Sequence, residues 1–433
     1  MAIDIISRKS SIRKNVSEFD FSNLTYGTSF PNLTHHFNGG EIMIKKFGPT
    51  RTVPMGSFAA NFWDEVRALK VKGLFNPHGH ADRGNTLDQE FLGHIHVDPA
   101  DASKISLIAK QKMVGKLHEG QAYTKKNLAE RMLGVCEDQI AFGTARFCSC
   151  IDVSPDLGAD GLLAFREAMK IKKKLAGRLK FEIGPNAIFG FKEGTERWNI
   201  YRAAAELADF LSALPEKDYY PEGADPDGKI GFDQHIRRVL ELSIEMNKPA
   251  QFHLDQSGDP KEAGTERLIE ALKWFDPHRK GPPIYAVHMI SPSSYSEERF
   301  ARLLYNLLKY RVGVIVCPSA GLSMRCLRPI SVPMHNSIAR VLELLASGVE
   351  VLLGSDNIGD MFAPASDGDM SLEVKFAAHA TRFYLAHIWA RVAAGVRLND
   401  SDRDSVKEFL RQDAQVFRGI DPNWKPAVNI DIE

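Results

Sequence analysis

"GFDQHIRRVLELSIEMNKPAQFHLDQ", residues 231–256, holds two periodicities in one run. In its first part Ile236, Val239, Leu240 and Ile244 fall three or four residues apart, the spacing of one helix face. Pro249 then blocks continuation of the helix. The last part, "AQFHLDQ", is a short apolar run that turns polar at His253, Asp255 and Gln256. This reads as a helix leading into a buried strand whose C-terminal end carries chemistry.

The same unit recurs along the chain. The strand candidates are "VKGLFNPHGH", "TARFCSCIDV", "LKFEIGP", "FLSALPEKD", "PAQFHLDQ", "PIYAVHMIS", "VGVIVCPSA" and "VEVLLGSDN". Of these eight, seven are followed by a helix-like stretch that leads to the next. Such alternation implies a parallel sheet, and eight units within about 300 residues imply a closed (β/α)8 TIM barrel. The expected class is therefore α/β. An open doubly wound sheet is the competing architecture, but no Gly-x-Gly-x-x-Gly follows a strand. The expected division is an N-terminal extension over 1–70, the barrel over 71–365 and a helical segment closing it over 366–433.

Bulk properties narrow the function. The 433 residues are 44% hydrophobic and 25% charged, an ordinary globular composition. Lys+Arg and Asp+Glu both number 55, so no excess charge favours nucleic acid or an anionic membrane as partner. A small-molecule substrate is the expected partner, and a homo-oligomer is compatible with this. The five cysteines, in so large a chain, do not read as a disulfide framework, and Cys148 and Cys150 read as packing thiols. No signal-peptide core opens the chain and no apolar run reaches membrane-spanning length, so the cytoplasm is expected. The Asn-x-Thr triplets at Asn23 and Asn32 then carry no meaning.

The chemistry lies where apolar strands turn polar. "FNPHGHADRG" ends strand one with His78 and His80, on one face of an extended chain. Strand six ends in His288, and strand eight in Asp356 and Asn357. A barrel gathers these ends on its catalytic face. His78, His80, His253 and Asp356 can then converge on one divalent metal. Three imidazoles and a carboxylate, with no thiolate, suit zinc or iron(II).

The order of these residues resembles the amidohydrolase superfamily. "FHLDQ", "YAVH" and "GSDNIGDMFAP" are similar to its cytosine-deaminase branch, and the Asp356–Asn357 pair also resembles N-isopropylammelide amidohydrolase. The resemblance covers roughly residues 70–400. It implies a metal-dependent hydrolase acting on a non-peptide C–N bond, with a single ion that activates water. His78, His80, His253 and Asp356 are then ligands, Asp356 shuttles the proton, and His288 orients the water and stabilises the tetrahedral intermediate. Such a site removes an amino or alkylamino group from a small, nitrogen-rich, cyclic substrate. The same site serves cleavage of a cyclic or linear amide, and a barrel that binds without turnover is a further alternative.

Two departures qualify the resemblance. Cytosine deaminases carry Glu where this chain has Gln256, and Gln cannot transfer a proton. A substrate that needs no ring protonation is therefore favoured over cytosine. The accessory β-sandwich is expected to be reduced or absent, since only "EIMIKKFG" reads as a strand before residue 70 and little strand follows "PAVNIDIE". Arg83, with Asp82 as its ion partner, and Asn186 after strand three are expected substrate contacts. Glu216 and Lys217 stand where binuclear relatives keep a bridging group. Ser319 or Arg325 is expected to shape the pocket. His35, His36, His94, His96, His118 and His379 lack strand-end context and read as ordinary.

Overall fold

A computed structural model describes residues 57–428, other than 105–106, 225, 277, 325–328 and 331–336. These residues belong to one compact unit. His35, His36, Arg325 and "EIMIKKFG" lie outside them, as does the end of "PAVNIDIE".

Eight strands occur among the described residues: β1 Leu74–Gly79, β2 Thr144–Asp152, β3 Lys180–Asn186, β4 Leu211–Ala213, β5 Ala250–Leu254, β6 Ile284–His288, β7 Val312–Val316 and β8 Val351–Leu353. All ladders are parallel, in one sheet of order β1-β2-β3 and one of order β4-β5-β6-β7-β8. The two sheets meet at both edges. Asp209, just before β4, donates its backbone N–H to Ile183 on β3 at 2.9 Å. Past β8, the Asp356 N–H donates to His78 O on β1 at 3.0 Å, beside a parallel bridge between Gly79 and Asp356. This arrangement fits a (β/α)8 barrel.

The connecting helices follow the sequence pattern. Glu297–Lys309 starts on Ser296, whose hydroxyl accepts from the Arg299 N–H, and buries Phe300, Leu303, Leu304 and Leu307. That is one stripe at positions i, i+3, i+4 and i+7, each side chain contributing roughly 1.5–3 kcal/mol on burial. Phe232–Met246 ends where Asn247 takes a left-handed conformation two residues before Pro249. The chain after β8 is largely helical, in Met370–Thr381, Ala386–Ala393 and Asp400–Ile420.

Strand ends set the site. Asp255, His288, Met289 and Asp356 all have positive φ, between 51° and 76°. Non-glycine residues enter that region at a cost of about 1–3 kcal/mol each, and such strain gathers at functional sites. Here it turns the chain sharply as it leaves β5, β6 and β8. Gly354 lets β8 lie close to β1, because a Cβ there would stand 3.0 Å from His78 Cβ and 3.1 Å from His78 O.

Candidate metal centre

Five side chains from β1, β5, β6 and the turn after β8 come together, all buried: His78, His80, His253, His288 and Asp356. The His78 ring lies 4.7 Å from His253, 5.2 Å from His80 and 6.0 Å from His288 between centroids. Asp356 Oδ1 stands 3.3 Å from His80 Nε2 and 3.7 Å from His78 Nε2. Donor atoms of His78, His288 and Asp356 all lie within 4.8 Å of one another.

The hydrogen bonds around the rings decide which nitrogens are bare. His78 Nδ1 is 2.7 Å from Gln251 Oε1, and Gln251 Nε2 donates to Pro77 O at 2.8 Å. The amide is thereby held carbonyl-first, so His78 carries its proton on Nδ1 and leaves Nε2 as a lone pair. That Nε2 is buried without a hydrogen-bond partner, as is His80 Nδ1. His253 Nδ1 donates to Ala213 O at 2.9 Å, which frees its Nε2 in the same way. A partner on one nitrogen that fixes the tautomer and aims the other is the usual support of a metal-ligating histidine.

Electrostatics point the same way. Burial, then the neighbouring His80, pushes His78 down to about 3. Burial also lowers His253 and His288, so these three imidazoles are neutral, the form that binds a metal. Burial opposes ionisation of Asp356, but the His80 hydrogen bond and the surrounding histidines outweigh it and hold the carboxyl well below the usual range. Bare buried nitrogens around an ionised carboxylate fit a divalent cation.

Cys150 also lies near, with a ligand atom within 4.8 Å of those of His78 and His253. Its Sγ is 3.7 Å from His78 Nδ1, the nitrogen Gln251 already engages. Burial pushes its thiol up to about 12, and the thiolate is the ligand form. Cys148 and Cys150 are buried and free.

Beside the cluster lies a cavity of about 70 Å³ lined by His80, Arg83, Asn186, Gln256, Asp356 and Asn357, with Leu214, Ile188 and Phe362 among its apolar walls. Arg83 is buried there. Its ion partner is Asp152, at 3.3 Å, and it also donates to Asn357 Oδ1 at 3.3 Å. Asp82 is not bonded to it. It accepts instead from Tyr123 OH and from the Asp152 N–H, each at 3.0 Å. Asn357 Nδ2 donates to Asp356 Oδ1 at 3.0 Å. Glu216 meets Gln256 across 3.2 Å. Part of Glu216 is open to solvent, but burial of its carboxyl and the nearby Glu262 push it up to about 8. Burial brings Lys217 down to about 8. Ser319 is bound by Glu373 through its N–H and hydroxyl, at 2.9 and 2.6 Å.

Two residues of this site were not expected. Asp152, the last residue of β2, accepts from Asn186 Nδ2 at 2.7 Å and pairs with Arg83 and His118 at 3.3 Å. Its signal was present, since a buried carboxylate ends an apolar strand just as His253 does. His118, which read as ordinary, is a buried cation between Asp152 and Asp156. Burial alone would lower it, but hydrogen bonds to both carboxylates raise it to about 9. No local pattern announces His118, which sits near the end of a helix. His94 bonds Lys116 O and His379 meets Tyr384 OH, both at exposed positions.

No family model matches the chain. An uncharacterized protein of Haemophilus influenzae is 25% identical over 290 residues, which are 67% of this chain and 95% of that one. Among solved structures, 5-methylcytosine deaminase from Klebsiella pneumoniae with phosphonocytosine matches with a TM-score of 0.60 at 18% identity, over 78% of this chain and 82% of that chain. N-isopropylammelide isopropylaminohydrolase from Burkholderia multivorans matches at 0.55 and 16% identity, with the same shares, 78% and 82%. Adenine deaminase from Arthrobacter aurescens matches at 0.50 and 13% identity, over 79% and 100%. The chain shares the fold of these deaminases and this aminohydrolase.

Proposed function

We propose that this chain is a metal-dependent hydrolase that removes an amino or alkylamino group from a small, nitrogen-rich ring. The observation that carries the reading is the convergence of four buried imidazoles, those of His78, His253 and His288 held neutral, and an ionised aspartate, with ring nitrogens left bare. The fold shared with deaminases supports it. In this reading the barrel is closed, spans residues 71–365 and is capped by helices of 366–433, without a full accessory sandwich.

His78, His80, His253 and Asp356 would hold one divalent ion, zinc or iron(II). Bound there, the ion lowers the pKa of a water toward neutrality. Asp356, ionised and beside His80 and His78, would accept a proton from the attacking water. His288 donates a hydrogen bond to the oxygen as it adds to the ring carbon. As the C–O bond forms, the ring C=N pair would move onto the ring nitrogen; the exocyclic C–N bond would then break, the proton held by Asp356 passing to the departing nitrogen and the water's second proton ending on the ring nitrogen. The products are the oxo ring and ammonia or an alkylamine. Gln256, Asn357, Arg83 and Asn186 bind and orient the ring without exchanging protons with it. The substrate is a small molecule, and no helix among the described residues is long and apolar enough to cross a membrane.

The test is amine release by the purified, metal-analysed protein from amino-substituted pyrimidines, purines, pterins and triazines. Release of ammonia or alkylamine with the ring's absorbance largely retained is expected. Ring opening without amine release, or no turnover of any member by protein holding one ion per chain, would overturn the reading.

A further inference from the structure

Between β1 and the helix Lys125–Ala141 that leads to β2, the chain adds a segment to the barrel, and its longest helix is Leu107–Glu119. Leu107, Gln111, Val114 and His118 fall along one face of that helix, at spacings of four, three and four. The first two line the cavity beside the metal cluster. Val114 packs on Ile188 and Leu214, which line it too. His118 ends the stripe against the barrel itself. Its side chain is fully buried, with Nε2 3.3 Å from Asp152 Oδ2, at the end of β2, and Nδ1 3.0 Å from Asp156 Oδ2, in the turn that follows. Carboxylates facing both ring nitrogens call for two N–H donors, and only the imidazolium has them. A neutral ring would set one lone pair against an oxygen.

We infer that His118 is a positioning residue: by bonding two carboxylates of the barrel at once, it pins the helix Leu107–Glu119 as a wall of the cavity. The inference rests on the cavity being the substrate site, because Leu107 and Gln111 then keep their places beside the ring only while the helix is pinned. Charge is what holds the pin. Burial opposes the imidazolium, but hydrogen bonds to Asp152 and Asp156 raise its pKa to about 9. Tyr123 and Phe189 flank the ring, at 4.3 and 5.6 Å between centroids. Arg83 and Asp82 stand behind Asp152, and Lys217 acts on it through charge alone. Lys116 and Glu119, on the helix itself, are exposed. The pin is therefore set at neutral pH and lost as pH rises through about 9.

The test is amide hydrogen exchange of the full chain, read by mass spectrometry on the peptide spanning residues 107–119. His118→Gln keeps one donor but no charge. At pH 7 it should exchange that peptide on the order of tenfold faster than wild type, with β5 and β7 unchanged. As pH rises from 7 to 10, the ratio of variant to wild-type rates should fall toward one through about pH 9, because the wild type then loses its cation. Intrinsic exchange rates cancel in this ratio, and a mere loss of packing would give a ratio that pH does not move. Asp156→Asn, at a site partly open to solvent, carries the test if His118→Gln does not fold. It removes one of the two carboxylates that raise His118, so the helix should loosen at a pH below 9. The inference is overturned if His118→Gln exchanges the peptide as slowly as wild type at pH 7, if the ratio stays constant from pH 7 to 10, or if Asp156→Asn leaves the loosening pH where it is in wild type. Failure of the aminohydrolase reading shows separately, as absent amine release with the exchange pattern intact.

Discussion

Replacing Gln251 with leucine should loosen the metal without removing any atom that touches it. Gln251 lies on β5 two residues before His253, so both side chains point to the same face of the strand. Its carbonyl oxygen holds His78 Nδ1 at 2.7 Å, and its amide nitrogen is tied to Pro77 O. Leucine has similar bulk, so packing is largely kept. His78 then has no acceptor for its Nδ1 proton except the weak one of Cys150 Sγ, 3.7 Å away. The ring becomes free to rotate or to take the other tautomer, which hides the Nε2 lone pair. Loss of such a supporting bond costs on the order of 10–100-fold in metal affinity. An unsatisfied buried donor on His78 adds about 1–3 kcal/mol of destabilisation. Zinc affinity measured by competition against a chromophoric chelator reads the first effect, and the melting temperature of the metal-free protein reads the second. Gln251→Glu keeps an acceptor for Nδ1 but sets a carboxylate oxygen against Pro77 O, so its zinc affinity should fall between those of Gln251→Leu and wild type. If Gln251→Leu folds and holds zinc as tightly as wild type, either His78 is not a ligand or its tautomer is not set from β5.

Three further outcomes follow from the same geometry. Asp356→Asn should abolish turnover even when excess metal restores occupancy, whereas His288→Asn should keep its metal and lose about 10²–10³ in kcat, as expected for losing a stabiliser of developing charge. Metal content and kcat measured on the pair check this, and an empty metal site in His288→Asn beside an active Asp356→Asn would reverse the two roles. Gln256→Glu should gain turnover of cytosine, whose bare ring nitrogen needs a proton, relative to substrates that need no ring protonation; paired kcat/KM values for both provide the check. The stability that Glu373 contributes should fall as pH rises from about 5 to 8, while the buried neutral histidines act in the opposite sense. Burial raises Glu373 from 4.5 to about 8, so in that window the folded chain holds a proton that the unfolded chain has released, and folding is favoured at the acidic end. The melting temperature of wild type relative to Glu373→Gln, measured against pH, should therefore fall across this window, and a difference that does not change with pH would place the titrating group elsewhere.

The residues readable from the sequence and those that escaped it differ in how their signals are carried. His253 and His288 stand out because a strand is otherwise apolar up to that point, and a buried polar group in such a place must have a partner. Asp356 stands out in the same way at the end of "VLLGSD". Period and composition also suffice for the order of strands and helices, since parallel strands buried on both faces must be apolar and their crossovers amphipathic. Orientation is carried differently. Arg83 was readable as a cation near the site, but its ion partner is Asp152, 69 residues away, and not the adjacent Asp82. His118 reaches the same carboxylate from 34 residues away, off a helix. The amides of Gln251, Asn186 and Gln256 each have two chemically distinct ends, and sequence spacing says nothing of which end faces the site. That choice is made by a backbone carbonyl for Gln251 and by Asp152 for Asn186. The ligand set of a barrel is thus written along single strands, whereas the polarity of its pocket is written between them. A relative that keeps all five cluster residues but changes Asp152 should therefore retain the metal and the reaction class while taking a different ring.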